Sequence, residues 1–243
     1  MPHRDGWIGD AAQRSWDEAR AFVATGLRFT FQPARFGRAW IDGRSDAPNP
    51  LGVLATGAAT LAASRAALDV VLGRAAQAQG LWQTLLEAVA PFAHYLALAT
   101  VAHLILALLV RGRQRYTDSV AMALYAGGGP GVLAPIVVYV VGAALWFASG
   151  RPAVIQHGLL GSLPFPAAHA LLWVSYAGYA LFLWTLLLAL QAVHRAALWQ
   201  AALALALAVF ILGLGFGLRV TDVPFGTRIL VKLRPFGGFI WVD

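Results

Sequence analysis

The chain predicts an all-α fold: a polytopic membrane protein, with a five-helix transmembrane bundle behind an N-terminal interfacial amphipathic helix. Three observations carry that expectation. Of the 243 residues, 59% are hydrophobic and only 12% charged, against roughly a quarter charged in soluble domains. Between Leu51 and Leu218 near-continuous apolar runs recur; the cleanest, Ala196–Leu218, holds 23 residues with Gln200 as its one polar side chain. At about 1.5 Å rise per residue that length covers a ~30 Å hydrocarbon core. Finally, almost every Arg falls outside these runs or at their edges.

Residues 1–50 read as a charged cytoplasmic or interfacial segment. Trp16, Ala19, Phe22, Val23, Leu27, Phe29 and Phe31 recur at roughly helical spacing with Arg20, Arg28, Arg35 and Arg38 among or after them. This predicts one or two amphipathic helices in the headgroup region, broken at Pro33. Arg28, Arg35, Arg38 and Trp40 are the expected membrane-surface contacts. No signal peptide is expected, because Arg28 interrupts the apolar stretch Ala21–Phe31. Asn49 and Pro50 then form an N-cap and first helical residue.

The membrane domain, 51–218, divides into five spans. Leu51–Leu72 is rich in Gly and Ala, which favours close helix approach. Leu85–Val110 contains Pro91 near its start and ends at the basic turn Arg111–Arg115. Asp118–Ala148 is interrupted by Gly127, Gly128, Gly129, Pro130 and Gly131, so two segments or a bent helix are expected. Ala167–Val193 follows a loop, and the turn His194-Arg195 leads into Ala196–Leu218. The tail, 219–243, reads as extracytoplasmic, extended or interfacial. Eleven basic residues fall on the N-terminal side of this arrangement and six on the other, with Arg65 inside a span. The positive-inside bias therefore puts the N-terminus in the cytoplasm and the C-terminus outside, in a cell inner membrane. The excess of Arg over Lys, 17 to one, together with abundant Ala, suits a GC-rich bacterial genome.

Composition excludes some chemistry. With no Cys there is no disulfide, thiolate metal site or Cys nucleophile. The net charge of +7 comes from Arg at span ends, where it marks topology and anionic lipid, so nucleic acid is not an expected partner. Sequence signatures of zinc proteases, serine hydrolases and nucleotide-binding loops are absent, so no catalytic residue and no metal site is expected.

Four features remain as candidate sites. Arg65 and Asp69, four apart and so on one helix face, form an intramembrane ion pair. Such a pair is either a functional site or a mutual neutralisation close to the outer interface. Gly127–Gly131 frees backbone groups at membrane depth, which is tolerable when they are buried in protein or line a wet cavity. Gly213 and Gly217 give a small-xxx-small packing face on the last span. His94 and His103 lie about 13 Å apart along one helix and point about 180° apart, so one small metal cannot bridge them. Ala90 and Ala99, each four residues earlier, would leave room for a macrocycle of the chlorophyll or haem type, although interhelical hydrogen bonding is the ordinary use of such His, and no cofactor is expected.

A resemblance enters with five stretches: the basic-aromatic Phe31-Gln-Pro-Ala-Arg-Phe-Gly-Arg-Ala-Trp40; Asn49-Pro-Leu51 opening the first span; His103 late in the second before a short basic turn; Tyr125-Ala-Gly-Gly-Gly-Pro130 in the third; and Leu190-Gln-Ala-Val-His194 closing the fourth. From Phe31 to about Leu212 the layout resembles the Yip-type (Ypt-interacting protein) family of five-span membrane proteins, in its bacterial branch. The tail beyond Arg219 departs from that pattern. The resemblance implies a five-span fold with the N-terminus inside and a role in binding rather than catalysis; the small-GTPase partners of eukaryotic members do not carry over.

The expected function is therefore a non-enzymatic scaffold, assembly factor or accessory subunit. Its expected partners are the lipid bilayer, other membrane proteins (including subunits of a large complex) and further copies of itself. The alternatives are a small transporter or channel built on Arg65, Asp69 and the glycine break, or a pigment- or haem-binding subunit.

Overall fold

The computed structural model describes residues 5–73, 81–110, 114–150 and 163–217. Among these residues every regular element is an α-helix. The N-terminal segment forms α1 (Asp5–Phe31) and α2 (Pro33–Ile41), separated at Gln32. Pro33 lacks an N–H and cannot continue the ladder of α1, but its fixed φ suits a first helical position, so one helix ends and another begins. Of the one or two amphipathic helices expected there, two are present, divided at Pro33.

α3 (Pro50–Val71) starts as the sequence dictates: Asn49 Oδ1 accepts the Leu51 N–H at 2.9 Å and Pro50 opens the helix. α4 (Leu81–Val110) begins four residues before the apolar run does, taking in Leu81 and Trp82, and continues through Pro91. The third run divides into α5 (Tyr116–Gly128) and α6 (Pro130–Ala148). α7 (Phe165–His194) stops where Arg195 takes the left-handed conformation at φ 50°; the Ala196 N–H then reaches back to Gln191 O at 3.0 Å, a Schellman-type end. α8 (Leu198–Gly217) follows after a three-residue turn.

Among the described residues four stretches are long and apolar enough to cross a membrane: Pro50–Val71, Ala88–Val110, Tyr116–Ala148 and Phe165–His194. The fully described part of α8, Leu198–Leu212, is apolar but shorter. The outer surface suits hydrocarbon, with Leu104, Leu108, Val140, Trp173, Trp184 and Phe210 all exposed. In water such a surface would aggregate; against lipid it costs nothing.

α5 is the axis of the bundle. Every residue from Ala121 to Gly128 is buried, because α1, α3, α4, α6 and α7 all contact it. A helix stretch enclosed on all sides has no face to keep polar, and from Val120 onward this one is apolar or small apart from the Tyr125 hydroxyl, its other polar side chains falling in the first turn, Tyr116 to Ser119. Around it, Phe92, Leu98, Met122, Phe182, Leu186 and Leu190 form one continuous core. A smaller core at the far end joins Leu68 and Leu72 of α3, Trp146 of α6 and Leu171 of α7.

The N-terminal helices pack into this bundle rather than lying only on lipid. Gly37 of α2 presses on α7: a Cβ there would meet Ala189 O at 3.1 Å and Ala192 Cβ at 3.2 Å. Phe29, Phe36 and Trp40 surround the ring of Tyr125, with centroids at 6.2, 4.8 and 5.6 Å. The Tyr125 hydroxyl donates to Pro48 O at 2.6 Å, fixing the segment that leads into α3. Each such aromatic contact adds about 0.5–1.5 kcal/mol beyond area burial.

Candidate functional site

One buried polar chain crosses three helices at the end of the bundle where α4 finishes and α5 begins. Ser119, four residues into α5, presents its Oγ to two imidazoles: His103 Nδ1 of α4 at 2.9 Å and His194 Nε2, from the last residue of α7, at 3.0 Å. All three side chains are buried, Ser119 completely. The His103 and His194 ring centroids lie 5.0 Å apart. A hydroxyl carries one proton. With both rings neutral it donates to one nitrogen and accepts an N–H from the other, which fixes complementary tautomers on the two histidines.

A polar collar surrounds this chain. The neighbouring Asp118 accepts the Trp40 indole N–H at 3.0 Å, joining α2 to α5. Thr100 Oγ1 and the Tyr116 hydroxyl lie 2.8 Å apart, and the Tyr116 ring stands edge-on to His103. Ser119 has no exposed surface, so a substrate carbonyl cannot reach its Oγ without the helices parting. What the geometry does supply is a hydrogen-bonded cross-brace between α4, α5 and α7. In low dielectric such a brace is costly to leave half-made.

The residues singled out by sequence distribute as follows. Arg65 and Asp69 form an i,i+4 pair at 3.6 Å in the last two turns of α3, with both side chains largely covered. The glycine break occurs at Gly129, whose N–H reaches Tyr125 O at 2.8 Å and whose carbonyl accepts from Val132 and Leu133. It is filled by protein. A Cβ on Gly127 would lie 2.8 Å from the Tyr95 ring, and one on Gly131 2.9 Å from the same ring. A Cβ on Gly128 would lie 2.2 Å from Val53 Cγ1, and Gly26 of α1 backs onto Gly129. Pro130 is buried with them. Gly213 and Gly217 belong to α8, but their surroundings lie outside the described residues, as does the whole 219–243 tail.

Arg28, Arg35 and Arg38 are exposed at the surface of α1 and α2. Trp40 is half-buried: its indole N–H turns inward to Asp118 and its ring stands edge-on to that of Tyr125. Among the candidate macrocycle ligands, His103 engages Ser119 through Nδ1, and Ala99 one turn earlier is fully buried against protein. His94 Nε2 stands 3.5 Å from the Tyr179 hydroxyl, the outer limit of a hydrogen bond. Among the described residues no group of three or more His, Cys, Asp or Glu is placed to hold a metal.

No family model, curated protein or solved structure matches this chain. The Yip-type resemblance therefore rests on the quoted residues alone. Two of those stretches, Phe31–Trp40 and Tyr125–Pro130, meet through the aromatic cage around Tyr125.

Sequence reasoning passed over Ser119 and Asp118. A usable signal existed: His103, Ser119 and His194 each sit within about two turns of a short basic connection, Arg111–Arg115 or Arg195, and so at one end of an antiparallel bundle.

Proposed function

We propose that the chain is a non-enzymatic multi-pass membrane protein that docks partner membrane helices, as a scaffold, assembly factor or accessory subunit. The observation that carries this is the outward face of α3. Gly52, Ala55, Ala59, Ala63 and Ala66 are all exposed and recur every three or four residues. The outward faces of α4, α7 and α8 instead carry bulky side chains such as Leu108, Trp173 and Phe210. Against lipid alone small residues bring no advantage. Against another helix they permit close backbone approach, which is how helices associate where no hydrophobic driving force separates them from lipid.

In this reading α8 completes five crossings of a bacterial inner membrane, and the Arg-bearing end holding α1 and α2 is cytoplasmic. The resemblance to the Yip-type proteins points the same way. The filling of the glycine break by Phe92, Tyr95 and Val53 weighs against a wet pathway there. Photo-crosslinking tests the reading. A crosslinker at Ala59 or Ala63 is expected to trap a defined membrane protein, and Ala59→Leu with Ala63→Leu to abolish that adduct while leaving thermal stability unchanged. Adducts to lipid alone, or a partner retained by the leucine variant, would refute it.

A further inference from the structure

A second feature lies on the surface of the N-terminal helices, apart from the α3 face and independent of helix docking. The end of α1, one side of α2 and the segment before α3 enclose a cleft of ≈390 Å³ lined by Arg28, Gln32, Arg35, Arg44, Ser45 and Asp46, with Phe36 and Ala39 also on its wall. Three guanidinium groups thus converge from three separate pieces of backbone. That volume suits a small ligand or one lipid headgroup.

Two of the arginines already hold carboxylates. Arg28 Nη1 donates to Asp46 Oδ1 at 2.6 Å, and Arg44 pairs with Asp42. Arg35 has only a 3.5 Å approach to Gln32 Oε1. Ser45 Oγ accepts the Ala47 N–H, which leaves its own proton to donate. Asp46 lies in a non-helical stretch with its side chain 76% exposed, so it can leave without disturbing the helices. A carboxylate offers two oxygens and one charge. A phosphate group offers more oxygens and up to twice the charge, in the geometry that guanidinium forks recognise bidentately.

We propose that this cleft binds a phosphate group, and that Asp46 is a built-in surrogate which the incoming phosphate displaces from Arg28. The phosphate belongs either to an anionic lipid headgroup or to a free anion; both present the same chemistry to the cleft. Position favours neither, since the cleft stands beside the start of α3, a helix long and apolar enough to cross a membrane.

The test uses the full chain in phosphatidylcholine nanodiscs doped with phosphatidic acid, with retained lipid counted by native mass spectrometry, and separately the detergent-solubilised chain titrated with inorganic phosphate by calorimetry. Arg35→Ala is expected to lower binding about tenfold or more, as the loss of a charged hydrogen-bond donor should. Asp46→Asn is expected to raise it several-fold, because the competitor loses its charge. Arg38→Ala, an exposed arginine of the same helix outside the cleft, leaves it unchanged. Binding in the nanodisc arm alone assigns the site to a headgroup; binding in both arms assigns it to phosphate in general. Binding in neither arm overturns the proposal. So does an equal loss in Arg35→Ala and Arg38→Ala, which would mean diffuse charge rather than a cleft, or weaker binding in Asp46→Asn. All three substitutions are at exposed positions, and unchanged thermal stability confirms that each variant is folded.

Discussion

Gly128→Ala is the sharpest probe of how the bundle is held together. The added Cβ would fall 2.2 Å from Val53 Cγ1, more than 1 Å inside ordinary contact distance. Val53 is buried and β-branched, so its methyl cannot swing aside without leaving its rotamer, at about 0.5–1.5 kcal/mol. The alternative is to push α3 off α5, and overpacking of that kind costs about 1–3 kcal/mol. A net loss near 2 kcal/mol corresponds to a drop of about 4–8 °C in melting temperature for a chain of this size. The assay is thermal unfolding in a mild detergent, run as a double-mutant cycle. Val53→Ala removes the clashing methyl; alone it costs about 2 kcal/mol in lost burial. The double variant should be less destabilised than the sum of the two by about 1–2 kcal/mol. Gly52→Ala is the control, since a Cβ there meets nothing within 4 Å, and it should melt like the parent. A Gly128→Ala protein that melts like the parent, or strictly additive losses in the cycle, would refute the packing argument.

Ser119→Ala leaves two buried imidazoles facing a methyl group, so a loss of about 1–3 kcal/mol is expected; Ser175→Ala, whose hydroxyl bonds only to Leu171 O of its own helix, should cost less. Equal melting of the two variants would mean that the cross-brace contributes nothing. The hydrogen bond and charge of Arg28 hold the Asp46 carboxyl below the ordinary aspartate value. Because the folded-state value is the lower one, the pairing is complete above the ordinary value and is lost as pH falls through the depressed one. Carboxyl NMR should show Asp46 titrating below a reference aspartate, and Arg28→Ala should shift it upward but not fully to the reference, since a backbone hydrogen bond also holds it down; an unmoved titration argues against the pair. Trp40→Phe removes the donor to Asp118 at a cost of about 1 kcal/mol, and limited proteolysis should then cut within α2 sooner than in the parent.

The apolar runs announce the helices because a bilayer demands uninterrupted apolar length, and the Asn49-Pro50 start could be read directly from capping chemistry. The start of α4 was less legible: hydropathy registers where hydrocarbon begins, whereas the hydrogen-bond ladder starts earlier, at Leu81. The two N-terminal helices follow from periodicity and Pro33, but an apolar stripe does not say whether it meets lipid or protein. That is why Trp40 reads as a surface anchor although it faces Asp118. The glycine run shows that a close approach is needed, not that Phe92, Tyr95, Val53 and Gly26 provide it. Ser119 illustrates the remaining limit. Its meaning depends on His103 and His194 arriving from 16 and 75 residues away, and pairings of that kind leave no local periodicity.

The seating of Gly37 against Ala189 and Ala192 has a consequence for biogenesis. The berth of α2 on α7 appears only after some 150 further residues have left the ribosome. Throughout that interval Phe36 and Trp40 need a temporary refuge, in the lipid interface or on a chaperone. A helix that precedes the bundle in the chain thus reaches its seat only after the later helix is made. A truncation before α7 would leave those aromatic groups without their seat and expose the nascent product to quality-control proteases.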